Sequence, residues 1–192
     1  MRKSCFAAVT TLALTVAALP GRAADNYSID PMHTCAVFKI GHLGLSWIHG
    51  RFNDIAGEFV LDPADPAKAS FTLTIKTESI DTNNGKRDGH LRSPDFFNAK
   101  QFPLLTFKST AVKAVPGGYD VTGDLMMHGV TKSVTLPLRG GRTAEFPKGV
   151  QRTGFTTDAV LRRSEYGMDR MVGPVGEEVY ISVSFEGVKK QP

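Results

Sequence analysis

Cysteine is almost missing from this chain: Cys5 and Cys35 are the only two among 192 residues. Cys5 lies in an N-terminal stretch that reads as a removable export signal, so the mature chain keeps Cys35 alone and can form no internal disulfide. A lone cysteine offers no soft-metal spacing, and without a sequence-adjacent activating partner it reads as a buried, inert thiol. No HxH, HExxH or GxSxG pattern occurs, which removes the common signatures of zinc and serine hydrolases. His33, His42, His49, His90 and His128 are scattered and read as turn or capping residues, with His42 and His49 the one pair a bend could bring together. No metal, no cofactor and no catalytic residue is assigned.

Excess charge is missing too. The chain carries 23 basic and 19 acidic residues, a formal +4. Residues 1–24 hold Arg2, Lys3 and Arg22 and no acid, so the remainder has 20 − 19 = +1. A near-neutral chain without a basic tract has no electrostatic basis for binding nucleic acid. Residues 1–24 have the layout of a secretory signal peptide: basic residues, an apolar run from Cys5 to Leu19, then Pro20, Gly21, Ala23 and Ala24. The run is shorter than the ~20 residues of a spanning helix, and no integral membrane segment is expected in the mature chain. The expectation is a cleaved export signal, a periplasmic location and one domain over residues 25–192. Nothing in the middle reads as a linker.

What is present is alternation. Ala36, Phe38 and Ile40, then Ile48, Gly50 and Phe52, then Ile55, Gly57, Phe59 and Leu61 recur at the period of a β-strand. Phe71, Leu73 and Ile75 continue it, followed by Leu105, Phe107 and Ser109 and, beyond a Gly117-Gly118 hairpin, by Tyr119, Val121, Gly123, Leu125 and Met127. His128 and Gly129 turn the chain into Val134, Leu136 and Leu138. Arg139 to Val150 is polar and glycine-rich and reads as an exposed loop. Phe155, Thr157, Ala159 and Leu161, then Val179, Ile181, Val183 and Phe185, complete roughly eight strands. Glycines inside the strands allow sharp curvature, which favours a closed antiparallel barrel over a sandwich.

One stretch breaks the pattern. Ser79 to Pro103, SIDTNNGKRDGHLRSPDFFNAKQFP, lacks alternation and opens with the helix-starting residues Asp81, Thr82, Asn83 and Asn84. A helix there sets Asp88 four residues from Arg92, a spacing at which side chains meet. Ser93-Pro94 predicts a second short helical turn, with Phe96 and Phe97 packed on the end of the sheet.

The same-parity residues Phe38, Ile40, Phe52, Phe59, Leu73, Ile75, Phe107, Leu125, Met127, Phe155, Leu161, Val183 and Phe185 form one apolar stripe. A filled core and an apolar pocket use the same residues, so the stripe alone fits either. Arg163 shares its parity and falls inside or at the rim, where a bare charge is costly. A ligand head group, an acid such as Asp95, or water at the mouth can satisfy it.

The blocks YSIDPMHT, GRF, SIDTNNGKRDGHLRSPDFF, FPLLTFKST, GDLMMHGVTKSVTLP and LRRSEYGM together resemble the YceI-like family of exported bacterial proteins. Cys35 and the segment Gly173 to Gly176 depart from it in small ways. The resemblance implies an all-β, eight-stranded, lipocalin-like barrel with a short helical insert. It also implies a polyisoprenoid or other fatty amphiphile held inside, which makes the stripe its lining. If Arg163 ends an inward-facing row, Arg87, His90, Arg92, Phe96 and Phe97 of the insert share that mouth, where Arg163 either meets the head group or makes a structural ion pair. The expected role is a periplasmic carrier or sequestering protein. An enzyme acting on a lipid or isoprenoid in the same cavity, and a stress-linked interaction protein with a filled barrel, are the alternatives. A homodimer is compatible with the sequence.

Overall fold

A computed structural model describes residues 24–62 and 64–191. The expected export segment therefore lies outside the described residues, apart from Ala24. The strands are β1 (Asp25–Ile29), β2 (Cys35–His42), β3 (Ser46–Phe52), β4 (Ile55–Leu61), β5 (Ser70–Lys76), β6 (Ile80–Asp81), β7 (Leu104–Val115), β8 (Gly118–Met127), β9 (Val130–Glu145), β10 (Gln151–Arg162) and β11 (Val175–Lys189). Gly85–Arg92 forms the helix α1.

Every ladder is antiparallel. Following the pairings β1-β4-β5-β7-β8-β9-β10-β11 and back to β1 closes an eight-stranded barrel. The return is made by β11, whose C-terminal part pairs with β1 (Tyr27↔Lys189) and whose middle pairs with β2 (Val183↔Ala36). β1 and β2 thus occupy one line of the wall. They are interrupted by a 3₁₀ turn at Pro31–His33, where the Asp30 carboxylate accepts from Met32 N–H at 3.0 Å. Beyond β2 the wall continues to β3 and to the short β6. β6 pairs only with β3, so no ladder joins it to β7, and the insert from Thr82 to Pro103 occupies that side.

The lower barrel is filled by aromatic rings. Tyr27 stacks on Phe59 at 4.7 Å between centroids, Phe59 meets Phe71 at 5.6 Å and Phe155 at 5.7 Å, and Phe155 meets Phe185 at 5.7 Å. Aromatic pairs in offset and edge arrangements add to the stabilisation from buried area. Close approach explains two strand glycines. A Cβ on Gly50 would lie 2.3 Å from the Phe38 ring, and one on Gly123 would lie 2.5 Å from the Lys108 carbonyl oxygen and 2.6 Å from the Phe107 ring.

Four local expectations are corrected. Residues 139–145 extend β9 as a strand, paired with β10 through a bulge at Gly141. Ser93 to Phe97 is a succession of turns without a second helix. Asp88 is buried and accepts from the Thr82 N–H at 2.9 Å and from the Thr82 hydroxyl, while Arg92 donates to the carbonyls of Glu78 and Ile80, so the Asp88–Arg92 pair does not form. Cys35 is exposed, because it falls on the outer parity of β2, opposite Ala36.

Candidate functional site

Above the aromatic floor the inward side chains no longer meet. The barrel strands contribute mostly aliphatic or aromatic side chains to this space, and those do not fill it. The result is a cavity of about 340 Å³. Phe59, Phe71 and Phe185 form its floor, Leu73, Phe107, Leu125, Leu161, Ile181 and Val183 its sides, and Phe38, Ile40 and Phe52 its upper wall. Hydrophobic transfer is the only sizeable interaction such a surface offers. A buried methylene gains about 0.8 kcal/mol there.

The rim is built by three segments. The insert brings Arg87, His90, Leu91, Phe96 and Phe97, the β2–β3 hairpin brings Gly41 and His42, and the segment between β10 and β11, with the first residue of β11, brings Met168, Met171 and Val175. Asn84 caps α1 by accepting from Arg87 N–H at 3.0 Å. Arg87 in turn donates Nε to the Thr82 hydroxyl and Nη2 to the Thr82 carbonyl, each at 2.7 Å, which fixes its guanidinium beside the opening. His90 Nε2 lies 3.0 Å from Asp95 Oδ2, and its ring meets Phe96 edge-on at 5.0 Å. The hydrogen bond from His90 holds the Asp95 carboxyl below its ordinary value.

Arg163 is 4% exposed and donates to four backbone carbonyls: Gly176 at 2.8 Å, Met168 at 2.6 Å, Arg170 at 2.7 Å and Val175 at 3.1 Å. Its guanidinium lies 6.0 Å from the centre of the Phe96 ring. Burial lowers its pKa, and Glu177 and Asp169 oppose that shift from a distance. Among the described residues no carboxylate pairs with it. The sequence-based partner Asp95 is engaged instead by His90 and, at 4.0 Å, by Arg170.

Two buried hydroxyls are unsatisfied among the described residues, Thr157 Oγ1 and Tyr166 OH. Thr157 is 4% exposed and lines the cavity. Tyr166 packs with Leu105, Met127 and Met168, and burial pushes its phenol up. No group of three or more His, Cys, Asp or Glu residues among the described residues is arranged to hold a metal ion.

A closed barrel around an apolar cavity is a fold that many unrelated proteins share; comparison with known sequences is decisive. The sequence profile described as the YceI-like domain matches residues 27–187. The chain belongs to the YceI-like family. A UPF0312 protein of Pseudomonas aeruginosa is 40% identical over 192 residues, covering 99% of this chain and 100% of the relative. The YceI protein of Escherichia coli O157:H7 is 39% identical over 193 residues and is covered in full, as is this chain. Among solved structures, BcnA of Burkholderia cenocepacia superposes with a TM-score of 0.73 at 25% identity, over 82% of this chain and 98% of BcnA. A polyisoprenoid binding domain from Saccharophagus degradans, implicated in plant cell wall breakdown, superposes at 0.65 with 16% identity, over 85% of this chain and 98% of that domain, and supports the fold alone.

In this YceI-like chain the barrel brings most of the sequence-predicted residues to one cavity. Phe38, Ile40, Phe52, Phe59, Leu73, Ile75, Phe107, Leu125, Met127, Leu161, Arg163, Val183 and Phe185 line it, as do Arg87, His90, Phe96 and Phe97 at the rim. Phe155 is 2% exposed and packed within the aromatic floor, outside the lining. Arg92 is spent on two carbonyls of the 78–80 turn and is absent from the lining. Ile48, Val121, Leu136, Leu138, Thr157, Val179 and Ile181 line the cavity without having been singled out, although their parity marked them. Met168 and Met171 come from a turn segment with no periodicity and carried no such signal, and Val175 opens β11 ahead of its regular alternation.

Proposed function

We propose that this protein is a periplasmic carrier or sequestering protein that holds one polyisoprenoid or other long-chain amphiphile, its tail in the cavity and its polar end at the rim. One observation carries the reading: a closed barrel encloses about 340 Å³ lined almost wholly by apolar side chains. Pockets of 300–1,000 Å³ with such linings are typical of small-molecule sites. Membership of the YceI-like family and the fold shared with a polyisoprenoid binding domain support it. The export-signal pattern of residues 1–24 supports the periplasmic location. At the rim, Arg87 is already oriented by Thr82, and His90 stands beside Asp95, so a hydroxyl or phosphate there has a cation and a ring nitrogen to meet.

The His90–Asp95 pair also favours a second reading, acid–base chemistry on the head group. Mass spectrometry of organic extracts from detergent-free protein tests the first reading, and following the extracted molecule for chemical change tests the second. Leu125→Trp fills the cavity from its side and is expected to lower ligand occupancy while a cooperative melt is retained. Wild-type protein that is empty and refuses added prenols and fatty amphiphiles overturns the carrier reading.

A further inference from the structure

Apolar side chains are drawn out of water wherever a fold can cover them, yet two loop tips at the open end of this barrel leave theirs uncovered. The β2–β3 hairpin exposes Leu43 by 54%, Leu45 by 83% and Trp47 by 49%, and the adjacent turn segment exposes Met171 by 43% and Val172 by 44%. The two tips form one surface. Leu43 N–H donates to the Pro174 carbonyl at 2.7 Å, and His42 stands opposite Val175 in the β2–β11 ladder. Leu43 and Met171 also sit at φ values of +55° and +57°. That left-handed region favours glycine and asparagine, so the turns themselves give no reason for leucine or methionine. Singly exposed leucines are ordinary, whereas a contiguous apolar patch marks a contact surface.

The charge around the patch names the partner. From Pro31 to Asn53 there is no Asp or Glu, and the basic side chains toward the tip are His42 and the cross-strand pair Lys39 and His49, whereas His33 lies beyond the far end of β2 against Asp30 and Arg51 is paired with Asp81. The Lys39 ammonium lies 4.8 Å from the Trp47 ring centre and 5.3 Å from that of Tyr180. The nearest acids on β11 are engaged, Glu177 by Arg162 and Ser164 and Glu178 by the Tyr180 hydroxyl. Asp169 and Arg170 offset one another in sign on the neighbouring segment. Aliphatic tips, an indole at their base and cations behind them are the layout that suits an anionic bilayer surface: the tips enter the acyl boundary, the indole sits among headgroups and the cations meet phosphates. The position matters as much as the composition. Met171 belongs to one tip, Gly41, His42 and Val175 adjoin the two, and all four also line the cavity.

We propose that the tip of the β2–β3 hairpin and the neighbouring 167–174 segment form a docking face for an anionic membrane surface, which sets the cavity mouth against the lipid. The proposal goes beyond carriage of an amphiphile and depends on that reading only for its purpose, since docking itself requires no cargo.

Trp47 is the single tryptophan of the chain, so intrinsic fluorescence reports directly on the hairpin. Purified protein mixed with phosphatidylcholine–phosphatidylglycerol vesicles is expected to sediment with them, with a blue-shifted emission that brominated acyl chains quench. Vesicles of phosphatidylcholine alone are expected to bind at least about fivefold more weakly. Leu43→Asn combined with Leu45→Ser suits the turn, and its folding is verified by circular dichroism and a cooperative melt. That variant is expected to lose at least about tenfold in vesicle affinity while taking up a detergent-dispersed prenol as wild type does. Absence of sedimentation and blue shift with anionic vesicles overturns the proposal, as does equal binding by the double variant. A blue shift that grows with protein concentration without vesicles, together with a dimer that the double variant loses, assigns the face to a second copy of the chain and overturns it equally. Vesicle binding retained by wild-type protein that takes up no prenol overturns the carrier reading and leaves docking standing.

Discussion

Arg163 Nη1 donates to the Met168 carbonyl at 2.6 Å, joining the end of β10 to one of the three segments that build the cavity rim. With three further carbonyls on the same guanidinium, the residue fixes the path of residues 168–176. Arg163→Met keeps most of the volume and strands those carbonyls. We expect a loss of about 3 kcal/mol or more in unfolding free energy, with charged and neutral amphiphiles weakened alike. Selective loss of anionic amphiphiles in a variant of wild-type stability would show that the cation serves the head group.

Asp30 and Arg152 give the barrel an acid-sensitive tie. Hydrogen bonds from Arg152, and next from His33, hold the Asp30 carboxyl down to about 2 from an ordinary 3.8. A depressed carboxyl stabilises the fold above its unfolded value and loses that contribution as pH falls from about 4 to about 2. Asp30→Asn is expected to cost about 1–2 kcal/mol at neutral pH and nothing below pH ~2. Chemical denaturation at both pH values measures the difference, and a constant deficit at the two would rule out the tie.

Thr157 presents a buried hydroxyl without a partner to the cavity. Thr157→Val removes the unsatisfied group at equal shape, so the ligand-free barrel should gain about 1 kcal/mol. Differential scanning calorimetry of delipidated protein decides it; an unchanged or lower melting temperature counts against an unsatisfied hydroxyl.

The N-terminus of exported protein is expected at Ala24 or Asp25, after cleavage behind Ala23 or Ala24. Intact-mass analysis of the periplasmic fraction checks this, and a chain retained from Met1 would sink it.

How much of this was legible depended on whether a residue's neighbours were of its own kind. β4 was readable to its ends, since Ile55, Gly57, Phe59 and Leu61 alternate against solvent-facing residues over the whole strand. The far end of β9 was not, because residues 139–145 pair with β10 beyond the apolar core and have no buried face to impose alternation. Parity placed Phe155 inward correctly but could not tell floor from wall, since packed rings and cavity lining share one period. Arg163 was likewise read as inward, whereas its partners are carbonyls of a turn, and backbone oxygens leave no mark on a sequence. Spacing on α1 suggested Arg92 for Asp88, yet the Thr82 amide and hydroxyl, displayed just before the helix, reach that carboxylate first.

The aromatic floor makes the bore a blind alley. With Phe59 and Phe155 only 1% and 2% exposed, nothing threads through, so whatever enters must back out by the way it came. On the proposed carrier reading, a tail longer than the bore would leave its surplus carbons at the doorway, among Met171, Leu43 and Leu45. The barrel would then act as a depth gauge: short guests would sit wholly inside with their polar end beside Arg87, while long ones would keep part of themselves within reach of the proposed docking surface.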